Sequence, residues 1–194
     1  LILRNLHRAE GLVSSFKQVS ADQASEQRRQ FDLANAVQEV LSTLAPTLRR
    51  KPHRVKLDIP AGITMDSLPG PLGQIVINLI NNAYLHAFEG RNDGVMTITA
   101  TADERHVKLR FADNGVGIGD ENLKKLFQPF FSTKIGQGGT GLGMTIVQNL
   151  VNKSLGGSVN VTSTVGVGTT FAINLPRALP AVQLRLPPSG EHTA

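Results

Sequence analysis

Residues 74–86 read Gln74-Ile75-Val76-Ile77-Asn78-Leu79-Ile80-Asn81-Asn82-Ala83-Tyr84-Leu85-His86. Pro71 suits a first helical position, so the sequence predicts a long helix over 72–86. Asn78, Asn82 and His86 recur every four residues and therefore share one face. Ile75 and Leu79, with Val76 and Ala83, supply an apolar face beside it. A helix striped in this way packs on a sheet while turning amide oxygens toward a cleft. An amide oxygen is a hard, neutral ligand, suited to a magnesium ion that keeps waters and shares phosphate oxygens. Taken alone, the stripe fits an ordinary solvated polar face equally well.

The flanking chain supplies the sheet. Arg54-Val55-Lys56-Leu57-Asp58-Ile59 alternates polar and apolar residues, the pattern of a half-buried strand. Residues 95–100 and 107–111 read as paired strands joined through Asp103-Glu104-Arg105. Residues 158–162 and 169–175 form a last pair around Val165-Gly166-Val167-Gly168, and residues 142–155 read as a helix between the two pairs. Phe31-Asp32-Leu33 opens another helix, with Asp32 as N-cap and Leu33, Val37, Val40, Leu41 and Leu44 on its apolar face. Between residue 59 and Gly70 the chain reads as turns.

The expected fold class is α/β: a two-layer sandwich, its sheet mixed but mainly antiparallel, with helices on one face. A bundle-type helix precedes it, since Ile2, Leu6, Ala9, Val13 and Phe16 are spaced by fours and threes. Residues 18–30 are polar and read as a helix end or linker. From Arg177 the prolines at 180, 187 and 188 and the lack of any period predict a disordered tail. The domain plan is thus 1–30, 31–176 and 177–194.

Composition narrows the function classes. With 194 residues, 40% hydrophobic and 18% charged, the chain is globular. It has no cysteine, which excludes disulfides and thiolate metal sites. No apolar run approaches the roughly 20 residues of a membrane-spanning helix. The opening LILRNLHRAEGL is interrupted by Arg4, His7, Arg8 and Glu10, so it is not a signal peptide. It also lacks an initiator Met. The expectation is a cytoplasmic fragment of a longer protein, reaching a membrane only through regions outside the fragment. The formal charge is +5, with 20 Lys and Arg against 15 Asp and Glu. These basic residues are scattered, and there is no Trp and one Tyr to stack on bases. A solvated basic surface is the expected reading, with no nucleic-acid partner.

Four further segments carry chemistry. Asp113-Asn114-Gly115-Val116-Gly117-Ile118 follows a predicted strand. Its alternating glycines permit a tight turn and close backbone approach. The Asp113 carboxylate can accept a hydrogen bond from an exocyclic amine such as that of adenine. Gly136-Gln137-Gly138-Gly139-Thr140-Gly141-Leu142-Gly143 leads into a helix and can cradle phosphates with backbone N–H groups. No Lys-Ser/Thr pair follows it, so it is not a P-loop. Between these, Leu126-Phe127-Gln128-Pro129-Phe130-Phe131-Ser132-Thr133-Lys134 offers aromatics for core packing or lid anchoring, and Lys134 as a charge for phosphate. Lastly, Thr169 in Gly166-Val167-Gly168-Thr169-Thr170-Phe171 offers a hydroxyl. Singly, each segment is weak.

In their order, the five segments resemble the N, G1, F, G2 and G3 boxes of the histidine-kinase ATPase domain. This is the GHKL family, shared with type II topoisomerases, mismatch-repair ATPases and a class of heat-shock chaperones. The resemblance covers about residues 31–176. It implies ATP and Mg2+ as ligands, with Asn82 as the magnesium asparagine and Asn78 its companion one turn earlier, together the candidate catalytic pair. It implies that Asp113 reads the adenine amine with Thr169 in support, and that Gly115 and Gly117, with Ile118 in the same segment, shape the base pocket. Gly139, Gly141 and Gly143, with Thr140 and Leu142 between them, match the glycines flanking the triphosphate.

Hydrolytic members of the family carry a general-base glutamate one turn before the magnesium asparagine. Here Asn78 stands there, and an amide cannot take that proton. The resemblance therefore implies a phosphoryl donor in a two-component sensor kinase, with a response regulator as partner. One departure is Leu85, where many sensor kinases have Lys or Arg; His86 or Lys134 is the candidate substitute. Residues 1–30 resemble the second helix of a dimerisation hairpin, which implies a homodimer. His7 is followed by Arg8 instead of an acid, so the accepting histidine is expected upstream of residue 1. A module that binds ATP without transferring phosphate is the alternative, supported by Leu85 and the missing acceptor.

Overall fold

The computed structural model describes residues 27–134 and 139–180. The expected bundle helix with His7, the loop glycines Gly136 and Gly138, and the tail from residue 181 lie outside the described residues. No helix among those described is long and apolar enough to cross a membrane.

The elements run in the order β1 (Arg29–Asp32), α1 (Leu33–Leu48), β2 (Arg54–Asp58), β3 (Thr64–Ser67), α2 (Pro69–Asn82), β4 (Val95–Ala102), β5 (His106–Asp113), α3 (Asp120–Leu123), α4 (Gly143–Asn149), β6 (Ser158–Thr164) and β7 (Gly168–Pro176). Single π-helical turns, Ala83–Ala87 and Leu150–Ser154, extend α2 and α4. The main sheet has the order β2-β4-β5-β7-β6. Its β2–β4 pair is parallel and the other three pairs are antiparallel, as the mixed, mainly antiparallel expectation has it.

Alternation explains the layers. Met96, Ile98 and Ala100 of β4, Val107, Leu109 and Phe111 of β5, and Phe171, Ile173 and Leu175 of β7 all point into one core. The intervening residues face solvent, because successive strand side chains leave opposite sides of the pleat. Phe111 and Phe171 are register partners and both buried. Ile75, Val76, Leu79 and Ile80 of α2, Val147 of α4, and Leu33 and Val37 of α1 cover that face. Burying each such side chain contributes about 1.5–3 kcal/mol. This apolar seam fixes the rotation of α2, and so decides where its polar face points.

Asp32 caps α1 as expected: Oδ1 accepts from Asn35 N at 3.0 Å, and Oδ2 accepts from Gly62 N at 2.9 Å. Three readings need correction. The stretch read as turns contains β3, which pairs antiparallel with β1, so Phe31 and Asp32 end a strand before the helix begins. Helix α2 starts at Pro69, two residues before Pro71, because two prolines both tolerate the first turn. The ordered body also passes both ends of the 31–176 segment. Arg29 and Gln30 belong to β1, and beyond β7 Asp66 N donates to Arg177 O at 2.7 Å while Leu179 N donates to Asp66 O at 3.0 Å.

Candidate functional site

Where α2 emerges from the core, its apolar residues lie on β4 and β5 and its polar stripe flanks a cavity of about 370 Å³. Asn78, Asn82 and His86 all line it, together with Gly117, Ile118, Gly139, Thr140, Gly141 and Gly143. Segments separated by more than 60 residues thus meet at one opening. Asp113, Gly115, Lys134, Leu142 and Thr169 are not among the residues that line it, although Gly115, Lys134 and Leu142 each adjoin one that does.

Asp113 ends β5, and its Oδ1 accepts from Gly115 N at 2.8 Å and Thr169 N at 3.2 Å. No hydrogen bond among the described residues engages Oδ2. Burial raises the Asp113 pKa above its ordinary 3.8, with the two backbone N–H groups pulling the other way. The turn after it is held tightly. Val116 N donates to Ala87 O at 2.8 Å, and a Cβ at Gly115 would collide with the same carbonyl. Gly117 has φ +72° and its α-carbon faces Thr164 O with no room for a side chain.

At the other end of the cavity, Gly143 begins α4 and faces Asn78: a Cβ there would lie 3.9 Å from Asn78 Oδ1. Leu142 N donates to Thr140 Oγ1 at 3.3 Å, which orients the turn into α4. Asn78 Nδ2 is buried with no hydrogen-bond partner. An unpaired buried amide N–H is costly and calls for an explanation.

The aromatic segment divides its roles. Leu126 and Phe127 pack against the core, Phe131 lines the cavity, and Phe130 is 45% exposed with φ +64°. Lys134 forms an ion pair with Glu89, and its side chain is only 16% exposed. His86 Nδ1 lies 3.1 Å from Thr133 Oγ1. Burial, and then the nearby Lys134 charge, push the His86 pKa below its ordinary 6.5. Both effects disfavour the protonated ring. Neither candidate substitute for the cation missing at Leu85 is a free positive charge facing the cavity.

Among the described residues, no group of three or more His, Asp or Glu side chains could hold a metal ion. What the cavity offers is amide oxygen, from Asn78 and Asn82. That set fits magnesium, which takes few protein ligands and leaves its other positions to water and phosphate.

The sequence reading missed Asn81, Glu89, Asn122, Ser132, Thr133 and Met144, which also line the cavity. It missed Ser163 too, whose Oγ accepts from Ile118 N at 2.8 Å. Asn81 had a visible signal in the Asn81-Asn82 pair. Ser163 had a faint one, since it follows Val159 and Val161 on the less exposed face of β6 and puts a hydroxyl where the alternation would place a third apolar residue.

The sequence pattern of the family described as histidine kinase-, DNA gyrase B-, and HSP90-like ATPase matches residues 68–179. Sporulation kinase B of Bacillus subtilis (strain 168) is 29% identical over 180 residues, spanning 93% of this chain and 41% of that protein. The chain therefore covers about two fifths of that relative's length. The catalytic domain of histidine kinase ThkA superposes with a TM-score of 0.68 at 25% identity, over 78% of this chain and 97% of that one. Full-length ShkA, solved in complex with AMPPNP, gives a TM-score of 0.64 at 27% identity, over 77% of this chain and 31% of that one.

Proposed function

Because the chain belongs to the histidine kinase-, DNA gyrase B- and HSP90-like ATPase family, we propose that it binds ATP with magnesium and donates the γ-phosphoryl group to a histidine. The acceptor lies on the dimerisation hairpin of a sensor kinase homodimer, and the phosphoryl group passes on to a response regulator. The carrying observation is the convergence of Asn78 and Asn82, the Gly117-Ile118 turn and the Gly139 to Gly143 turn on one cavity.

In this reading the adenine sits toward Asp113 and the triphosphate toward Asn82 and α4. Asn82 holds the magnesium ion, with Asn78 beside it, and the ion supplies charge neutralisation to the phosphate oxygens. Backbone N–H groups of the turn at 139–143 position the terminal phosphate for in-line attack. Phosphoryl transfer needs positioning more than acid–base chemistry, and the lining suits this. Among the described residues its one carboxylate, Glu89, is turned to Lys134, and His86 Nδ1 is engaged with Thr133. Asn78 cannot take a proton from water, which favours donation over hydrolysis.

Glu89 sets up a smaller prediction. Glu89→Gln removes a negative charge from the cavity rim and frees Lys134 to approach the phosphates. The pair is partly exposed, so the gain is modest: ATP affinity rises about threefold. Titration calorimetry reads it, and unchanged or weaker binding contradicts the placement of the phosphates.

Transfer itself is tested by mixing the chain with a hairpin bearing the acceptor histidine and γ-labelled ATP. Phosphohistidine on the hairpin is expected. Nucleotide binding without any label would instead favour an ATP-binding module, a reading to which the Lys134–Glu89 pair and Leu85 lend support.

A further inference from the structure

Behind Gly117 and Ile118, one hydroxyl group of β6 makes three contacts. Ser163 Oγ lies 2.8 Å from Ile118 N, 3.0 Å from Gly168 O and 2.9 Å from Thr169 Oγ1. A serine hydroxyl has one proton and two acceptor sites. The Gly168 carbonyl can only accept, so it takes the proton. The Ile118 N–H can only donate, so it fills one acceptor site. Thr169 must then donate its own proton into the other site. Its direction follows from counting.

Thr169 is 4% exposed, and no other hydrogen bond among the described residues uses its Oγ1. With its proton directed at Ser163, it has only lone pairs to offer. Its backbone N–H donates to Asp113 Oδ1 at 3.2 Å, so the carboxylate sits against the main chain of Thr169. Two side-chain acceptors therefore stand together here: the Asp113 carboxylate, and a hydroxyl whose proton is already committed to Ser163.

We propose that Ser163 is a specificity-determining residue: by holding Thr169 as an acceptor, it makes the base pocket select a purine with an exocyclic amine over one with a carbonyl. The inference rests on the ATP reading and deepens it. Ser163 itself touches no base and acts as a positioning residue through Thr169. Were its hydroxyl removed, Thr169 could rotate and donate to a carbonyl, and the pocket would lose half of its discrimination. A polar site built for one hydrogen-bond pattern rejects the opposite pattern because buried groups are left unpaired.

The experiment compares magnesium-ATP with magnesium-ITP, whose hypoxanthine carries a carbonyl where adenine has its amine. Dissociation constants are measured on the full chain for the wild type, Ser163→Ala, Ser163→Thr, Thr169→Val and the Ser163→Ala/Thr169→Val double variant. The wild type prefers ATP. Ser163→Ala narrows the ATP-to-ITP ratio about tenfold, Ser163→Thr keeps it, and Ser163→Ala adds nothing to the narrowing caused by Thr169→Val. Should Ser163→Ala fail to fold, Ser163→Cys, a near-isostere with a weak hydrogen-bonding group, narrows the ratio in its place. Equal weakening of both nucleotides with the ratio intact overturns the inference and leaves the ATP site standing. So does a narrowing that persists in the Thr169→Val background. A wild type that binds neither nucleotide, or both alike, overturns the base-pocket reading together with it.

Discussion

Asn82→Ala lowers affinity for magnesium-ATP about a hundredfold, or ~2.7 kcal/mol, and erases the difference between titrations with magnesium and with EDTA. The argument starts from the ligand inventory. With no cluster of acidic or histidine side chains among the described residues, a magnesium ion at this cavity depends on amide oxygen. Weakening even an outer partner of a metal ligand costs tenfold to a hundredfold, so losing the ligand itself reaches at least the upper figure. The fold does not depend on Asn82. Its side chain lines the cavity, and no hydrogen bond among the described residues uses it. The variant should therefore melt with the wild type, and retained magnesium dependence in a folded variant would remove Asn82 from the metal site.

Asp113→Asn is expected to weaken ATP binding while stabilising the empty protein. The asparagine Oδ1 still accepts from Gly115 N and Thr169 N, but an NH2 group replaces Oδ2 and meets the adenine amine donor to donor. The loss is about 2 kcal/mol, roughly thirtyfold. The stability effect has the opposite sign. Burial raises the carboxyl pKa from 3.8, outweighing its two backbone N–H partners. A folded-state value above the unfolded one gives a contribution that is fully present below pH 3.8 and lost as pH rises through the raised value. At neutral pH the ionised Asp113 therefore strains the apo fold, and the neutral amide does not. Thermal denaturation should show a higher Tm for Asp113→Asn at pH 7, with the gain vanishing in acid. A lower Tm at pH 7 would mean that the fold favours the carboxylate and that burial is not the dominant influence on it.

Most of this architecture was legible because its signals are local and periodic. The alternation of Met96, Ile98 and Ala100, and of Val107, Leu109 and Phe111, reads directly as two strands with one buried face. The four-residue spacing of Asn78, Asn82 and His86 survives the π-helical turn, and all three reach the cavity. What escaped depends on distant chain. Thr64-Met65-Asp66-Ser67 holds one large apolar residue and lies just past Gly62, so alone it resembles a turn; pairing with residues 29–32 makes it a strand. The parallel β2–β4 register has no local signature either. Lys134 read as a phosphate cation because its partner Glu89 is 45 positions away. Thr169 read as a hydroxyl near the base, yet the direction of its proton comes from Ser163 on the neighbouring strand.

The convergence of these segments is tested most directly by the structure of the chain with a non-hydrolysable ATP analogue and magnesium. The predicted result has the adenine amine within hydrogen-bond distance of Asp113, the metal on Asn82 and the terminal phosphates against the turn at 139–143. A nucleotide seated elsewhere, or one whose base points away from Asp113 while Asn82 carries no metal, would contradict the account.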